Sequence, residues 1–391
     1  MSDNTQAFDG WIRSSFIEMN TALEEIYFAL DNRADVGPAG ADIKAQIQDE
    51  GRDFIVKLVN EGNTDEGFEN AFDLLGNLGL YMASMRRHEV TNPANEVKSP
   101  LREASALGLH LGASLGVTPR FATSHLSTHN YAKNGVIKSF TSLPDELLFL
   151  RYNTEGIFAF KRAANALKNI VQLGVSNPVS LALFGKAADA LRDVKAANAT
   201  LFSDLDVDRF FWSVRPYYKP YRVGRQEYRG ANAGDFAGIN QIDLLLGLCR
   251  GNDPYYAQLM VDKMQFMLPE EQASLRDSLR RRSLLDEFLA TMDTEAKEPW
   301  FREHTAAFLE VCKLHGETAA QHHDQLVEGF ISKPSTVLDD KHLAQVTASG
   351  PPLEVLLRSL ETLRDMRLAA KRDDVQTSWR EIGMLKQAIG A

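Results

Sequence analysis

Apolar residues recur at three- and four-residue spacing through most of this chain, and that spacing most constrains its fold. Over residues 11–30 six large side chains carry the pattern: Trp11, Phe16, Met19, Leu23, Tyr27 and Leu30. Because an α-helix turns once every 3.6 residues, such side chains share one face that can be buried. Similar patterns predict helices over 67–88, 143–173, 177–200, 236–248, 254–266, 269–293, 299–331 and 351–370. Alternating strand patterns are nearly absent, so the sequence predicts an all-α protein.

Polar and proline-containing breaks divide the helical patterns. They fall around 89–100, 131–145, 216–235 and 332–352. A chain of 391 residues is long enough for two domains. We therefore predict a smaller N-terminal helical domain over 1–140 and a larger C-terminal helical domain over 141–391.

Charge and cysteine content limit the classes of partner. The formal net charge of −10 disfavours nonspecific binding to nucleic acid or to anionic membranes. No apolar run is long enough to span a bilayer, and the start, MSDNTQAFDGWIRSSF, is not typical of a secretory signal. The two cysteines, Cys249 and Cys312, argue against a disulfide framework or a Cys-based zinc site. These features predict a cytoplasmic protein that binds neither nucleic acid nor membrane.

One stripe of the predicted helix 299–331 places histidines among apolar residues. At 100° per residue it contains Phe308, Val311, Cys312, His315, Ala319, His322 and Leu326. His315 has two interpretations: a core histidine with satisfied hydrogen bonds, or the axial ligand of a haem iron, for which one imidazole suffices. The small neighbours Gly316 and Ala319 would leave space for a flat group. A zinc site fits less well, because neither His322 nor His323 lies four residues from His315.

The stretch 208–230 is rich in basic and aromatic residues. It contains Arg215, Lys219, Arg222, Arg225 and Arg229 together with Tyr217, Tyr218, Tyr221 and Tyr228. Such a cluster suits stacking on single-stranded nucleic acid, a pocket for a planar anion, or a solvated basic face above packed tyrosines. In an acidic chain the local anion site is favoured over nucleic acid. Phe210 and Phe211 then flank the fork-shaped donor of Arg215, which is suited to a carboxylate.

Several segments, in order, resemble the haem-dependent indoleamine and tryptophan dioxygenase superfamily. They are FFWSVR, YRGANAGDFAGINQIDLLLGL and VDKMQFMLPEEQASLRDSL. Members carry a Phe-Phe pair with an Arg four residues after the second Phe, and a small-residue loop that opens an apolar helix ending in LLG. Phe210, Phe211 and Arg215 fit that spacing, and His315 in FLEVCKLH fits the proximal histidine. YMASMRRHEV, SFTSLPDE and RPYYKPYRVGRQEY are most similar to the monodechloroaminopyrrolnitrin synthase branch.

The resemblance implies an indoleamine dioxygenase-like fold whose C-terminal bundle holds haem b on His315. It also implies that Phe210 and Phe211 wall the indole and that Arg215 binds the substrate carboxylate. The remaining implied contacts are Gly230, Ala231, Asn232 and Ala233 toward substrate; His125, Leu126, Ser127 and His129 in the distal pocket; and Arg229 and Gly350 toward haem. For His125 and His129, a hydrogen bond to oxygen or the indole N–H and a surface or capping role both remain open. The chain departs from the family loop at Asp235 and Phe236, where Gln-Ser is usual.

The implied function is a haem-dependent oxygenase acting on L-tryptophan or a related indole with dioxygen. Insertion of one oxygen atom, insertion of two, and oxidative ring rearrangement remain open outcomes. The alternative is a protein of the same fold that binds haem or an indole without catalysis, and a plain helical interaction module ranks third. Monomer and homodimer are both compatible with the sequence.

Overall fold

The computed structural model describes residues 2–62, 66–232, 234–325, 329 and 353–390, and it is all-α, as predicted. The helices are α1 (Asp3–Ile12), α2 (Ser15–Phe28), α3 (Ala41–Glu61), α4 (Phe68–Arg87), α5 (Arg102–Leu115), α6 (Pro144–Leu173), α7 (Pro178–Asp204), α8 (Val207–Arg209), α9 (Ala237–Leu246), α10 (Pro254–Met264), α11 (Pro269–Arg280), α12 (Leu284–Glu295), α13 (Pro299–Gln321), α14 (Leu353–Arg367) and α15 (Trp379–Ile389). Within these ranges, strands occur only in one antiparallel hairpin, β1 (Tyr221–Val223) with β2 (Gln226–Tyr228).

Helices α3, α5, α8 and α15 were not predicted, and α1 overlaps the predicted helix 11–30 only at Trp11 and Ile12. The buried positions of α3 include Lys44 and Gly51 beside three aliphatic residues, so its apolar stripe is weak in the sequence. Two predicted helices are each divided. Residues 11–30 break after Ile12, and 269–293 break where Ser283 caps α12 by accepting the Asp286 N–H on its side chain.

The first of two compact units contains the described residues of 1–151, 204–235 and 329–353. Its centre is α4, which is buried along almost its whole length and packs against α1, α3 and α5. Its buried residues include polar ones such as Asn77 and Ser84, and its small residues allow neighbouring elements to approach closely. At Gly79 an added Cβ would lie 2.3 Å from the Phe121 backbone nitrogen.

The second unit contains the described residues of 152–203, 236–328 and 354–391. Its largest core cluster joins helices α6, α7, α9, α12, α13 and α15 through side chains such as Phe184, Leu246, Phe288, Phe308 and Leu385. The two units alternate along the chain, with boundaries in the described residues after 151, 203, 235 and 353. Across the described helices, none is long and apolar enough to cross a membrane.

Candidate functional site

His315 lies on α13 in the second unit, and its side chain is fully enclosed, with 1% of the residue exposed. Its Nε2 lies 2.6 Å from Oδ1 of Asp243 on α9. Its Nδ1 is buried and has no hydrogen-bond partner among the described residues. Because a carboxylate accepts hydrogen bonds, the proton belongs on Nε2 and the lone pair on Nδ1.

Asp243 is shared by three donors. Arg367, the last residue of α14, donates through Nε and Nη2 at 2.8 Å each, and the Tyr256 hydroxyl donates at 2.9 Å. Burial alone would raise the pKa of Asp243, but the Arg367 charge and the His315 hydrogen bond outweigh it and lower that pKa. Asp243 is therefore an anion, held in a fixed orientation against the imidazole.

The histidine itself is neutral. Burial lowers the pKa of His315 below its usual value, and the Asp243 contact offsets this only in part. A neutral imidazole with Nε2 bound to a carboxylate and Nδ1 without a partner among the described residues could hold a haem iron. No cluster of three His, Cys, Asp or Glu side chains that could hold a bare metal ion occurs in the part of the chain that the structure describes. The residues at His315 thus fit a haem iron better than a zinc ion.

The small residue beside His315 has a different role from the one expected. At Gly316 an added Cβ would lie 2.9 Å from the Arg367 carbonyl oxygen and 2.9 Å from the Leu368 side chain. Because Gly316 has no side chain, the C-terminal end of α14 can approach α13 closely. The end of α14 fills the space beside Gly316, so no gap for a flat group remains there. The aromatic neighbour of His315 is Phe160, whose ring lies 6.5 Å away and perpendicular to the imidazole.

In the first unit, Phe210, Phe211 and Arg215 occupy one irregular helical turn between α7 and β1. Both phenylalanines are buried, and the Phe210 ring packs 5.0 Å from Phe149. The guanidinium of Arg215 lies over the Phe211 ring at 5.6 Å, within cation–π range. Burial lowers the pKa of Arg215 to about 10, which still leaves it charged at neutral pH.

A buried ion pair fixes the position of this turn. Arg87, at the end of α4, binds both carboxylate oxygens of Glu24 at 2.7 Å and donates to the Trp212 carbonyl at 2.9 Å. Trp212 lies in the turn that carries Phe211 and Arg215. The bond satisfies a carbonyl that a regular helix would pair internally, and it fixes the direction in which the turn presents its side chains.

Of the predicted distal residues, His125 has no nitrogen to spare. Its Nδ1 accepts from the Ala122 N–H at 2.8 Å, and its Nε2 donates to the Phe72 carbonyl at 2.9 Å. Burial lowers the pKa of His125 to about 3, and its ring stacks on Phe72 at 3.8 Å. These contacts favour the capping role for His125 over a hydrogen bond to oxygen or substrate.

The other predicted distal residues, Leu126, Ser127 and His129, differ in burial and in hydrogen bonding. Leu126 is buried, and the Ser127 hydroxyl donates to the Thr123 carbonyl. His129 is half-buried, with Nδ1 3.0 Å from the Thr128 hydroxyl. The Thr123 hydroxyl donates to the Asn232 carbonyl, so the structure brings the distal segment and the small-residue loop together.

The loop 229–235 is built around Asp235. Its carboxylate binds Arg229 bidentately at 2.8 and 2.9 Å, receives the Asn232 N–H at 3.2 Å and lies 3.4 Å from Arg120. Gly230 and Ala231 are buried, and Asn232 is exposed. The predicted residues Ala233 and Gly350 lie outside the described residues. The predicted haem contact, Arg229, uses its guanidinium to close the loop.

The site residues that were missed in the sequence include Glu24, Arg87, Arg120, Asp235, Asp243, Tyr256 and Arg367. A weak signal existed for Asp243, because a lone acid within the apolar run IDLLLGL must find a buried partner. Nothing in the sequence identifies Arg367 as that partner. The predicted residues fall into two groups, His315 in the second unit and the others that the structure describes in the first.

A family model for monodechloroaminopyrrolnitrin synthase PrnB matches residues 2–389, nearly the whole chain. The match spans both units, and it confirms the resemblance that was identified from the motifs.

Proposed function

Because the chain belongs to the monodechloroaminopyrrolnitrin synthase PrnB family, whose members are haem-dependent enzymes of pyrrolnitrin biosynthesis, we propose that it is an oxygenase of L-tryptophan or a related indole. It uses haem b and dioxygen, with His315 as the iron ligand. Its two cysteines are free and buried, which suits the reducing cytoplasm in which we expect it to act.

One observation carries this proposal: the buried, neutral imidazole of His315, with Nε2 bound to Asp243 and Nδ1 without a partner among the described residues. A polar atom buried without a hydrogen bond costs about 1–3 kcal/mol. A metal bond to that atom would remove the cost. Enclosure in the core and a carboxylate partner are also the usual environment of a histidine that binds haem iron.

When bound, haem would supply the iron that activates dioxygen toward the electron-rich indole ring. The chain's own residues bind and orient. Asp243 keeps the proton of His315 on Nε2 and holds the ring in place. Arg215 pairs with the carboxylate of the substrate, while Phe210 and Phe211 provide apolar walls for the indole.

The test is turnover by the haem-loaded, reduced protein with dioxygen and a panel of indoles that includes L-tryptophan. We expect a product that forms only with dioxygen, and its mass distinguishes addition of one oxygen atom, addition of two, and rearrangement. Tight indole binding without any product would favour the non-catalytic alternative. Failure to bind both haem and indoles would contradict the proposed function.

A further inference from the structure

We propose that Lys219 is a second cation of the carboxylate site, beside Arg215, and that it takes up a proton when an indole carboxylic acid binds. The inference rests on the proposed function, because it assumes that the ligand of Arg215 is a carboxylate. It adds a residue to the site and a coupling between ligand binding and protonation.

Lys219 directly follows the helical turn Arg215–Tyr218 in the first unit. That turn packs against α4, whose last two residues are Arg86 and Arg87. The segment that carries Arg215 and Lys219 therefore lies against a helix end that adds two further cations.

Several charged residues act on Lys219. Arg86, Arg87 and Arg215 act on it as cations, and Glu89 is the acid that acts against them. Arg87 is itself engaged by Glu24 in a bidentate pair. A cation without a partner in a poorly solvated region is stabilised when an anion joins it.

Neither Lys219 nor Arg215 has an ion pair or side-chain hydrogen bond among the residues that the structure describes. The other enclosed lysines of this unit do have partners. Lys138 contacts Asp9 and Asp73, and Lys44 donates to two backbone carbonyls. The two neighbouring cations without partners are therefore an exception, and a carboxylate with two oxygens could engage both.

The surroundings also make Lys219 titratable near neutral pH. Burial, followed by the charges of Arg86, Arg87 and Arg215, lowers the pKa of Lys219 to about 7, and Glu89 offsets this only in part. A bound carboxylate would raise that pKa again. Above pH 7 the free site is mostly deprotonated and the bound site is protonated, so binding takes up a proton. Well below pH 7 both states are protonated, and the uptake disappears.

The experiment is calorimetric titration of the haem-loaded protein with indole-3-propanoate at pH 8, in buffers of different ionisation enthalpy. This acid has the indole and the carboxylate but no amine that could itself titrate. We expect an uptake of at least ~0.5 proton per ligand, falling toward zero at pH 6. Indole, which has no carboxylate, should bind without proton uptake.

Two variants separate the charge of Lys219 from its titration. Lys219→Met should weaken indole-3-propanoate by at least ~10-fold at pH 7 and abolish the uptake. Lys219→Arg keeps a cation that does not titrate, so affinity should be retained within a few-fold while the uptake is lost. Lys98→Met, at an exposed lysine of the same unit, is the matched control and should change neither quantity.

The inference is overturned if Lys219→Met binds indole-3-propanoate like the wild type, or if Lys219→Arg still takes up the proton. It is also overturned if Lys219→Met loses haem and keeps its affinity for the acid, since the anion would then be a haem propionate. In each of these cases the wild type still binds indoles and the proposed function stands. Absence of indole binding by the haem-loaded wild type would contradict both.

Discussion

Arg215 combines a charge, an aromatic neighbour and the lack of an ion-pair partner within the described part of the chain. If it binds the substrate carboxylate, Arg215→Leu should weaken indole-3-propanoate by at least ~30-fold, or about 2 kcal/mol, because the variant loses a desolvated charge-assisted pair. Indole should bind with nearly unchanged affinity, since the wall formed by Phe211 remains. Titration of both ligands into each protein measures the difference.

The matched control is Arg33→Leu, because Arg33 also lies over an aromatic ring, 3.8 Å from Phe28, in the same unit. We expect it to bind both ligands like the wild type. An equal loss of affinity for indole and indole-3-propanoate in Arg215→Leu would instead assign Arg215 a structural role.

For single residues, the sequence identified candidate side chains better than it identified the side chains that they contact. His315 could be found because it stands on an apolar stripe, where a histidine needs an explanation. Its partner could not, because Asp243 lies 72 positions away in the chain, and Arg367 lies 124 positions from Asp243. Helical periodicity shows which face of a helix is buried, but it does not show which other helix covers that face.

Helix α13 presents His315 and, next to it, the close contact with the end of α14. Gly316→Ala should destabilise the fold by about 1–3 kcal/mol, because the new methyl group would lie 2.9 Å from the Arg367 carbonyl, and backbone cannot move aside as a flexible side chain can. The shift should also disturb the Asp243–Arg367 pair. We therefore expect a lower midpoint in chemical denaturation together with an altered haem spectrum.

Gly185→Ala is the matched control, since Gly185 lies in α7 of the same unit and an added Cβ there meets nothing within 4 Å. Alanine is the better helix former, so this variant should be neutral or more stable by up to ~1 kcal/mol. If Gly316→Ala were as stable as Gly185→Ala, the close approach of α14 to α13 would be wrong.

Helices were predictable where the apolar pattern is dense. Boundaries that depend on a single helix cap or a tight turn were poorly predictable. Residues 67–88 predicted α4 to within one residue at each end. The division at Ser283 depends on one side-chain cap, and the hairpin of β1 and β2 depends on Gly224, which has φ +59° at the turn. Such local choices are weak signals beside a 20-residue periodic pattern.

For the whole molecule, the all-α class and the family were both predicted and confirmed. The alternation of the chain between the two compact units did not follow from the helix patterns. Residues 204–235, which contain Phe210, Arg215 and Asp235, return to the unit formed by the N-terminal 151 residues. Every helix pattern was compatible with a single boundary, because amphipathic periodicity carries no information about which helices pack together.

The central claim is that His315 binds the haem iron, and the most direct measurement is the Soret absorption of purified His315→Ala titrated with haem. We predict that this variant fails to form the stoichiometric haem complex of the wild type and that added imidazole partly restores its spectrum. His322→Ala, at an exposed histidine just after the same helix, should bind haem normally. A wild-type Soret band in His315→Ala, or its loss in His322→Ala alone, would contradict the claim.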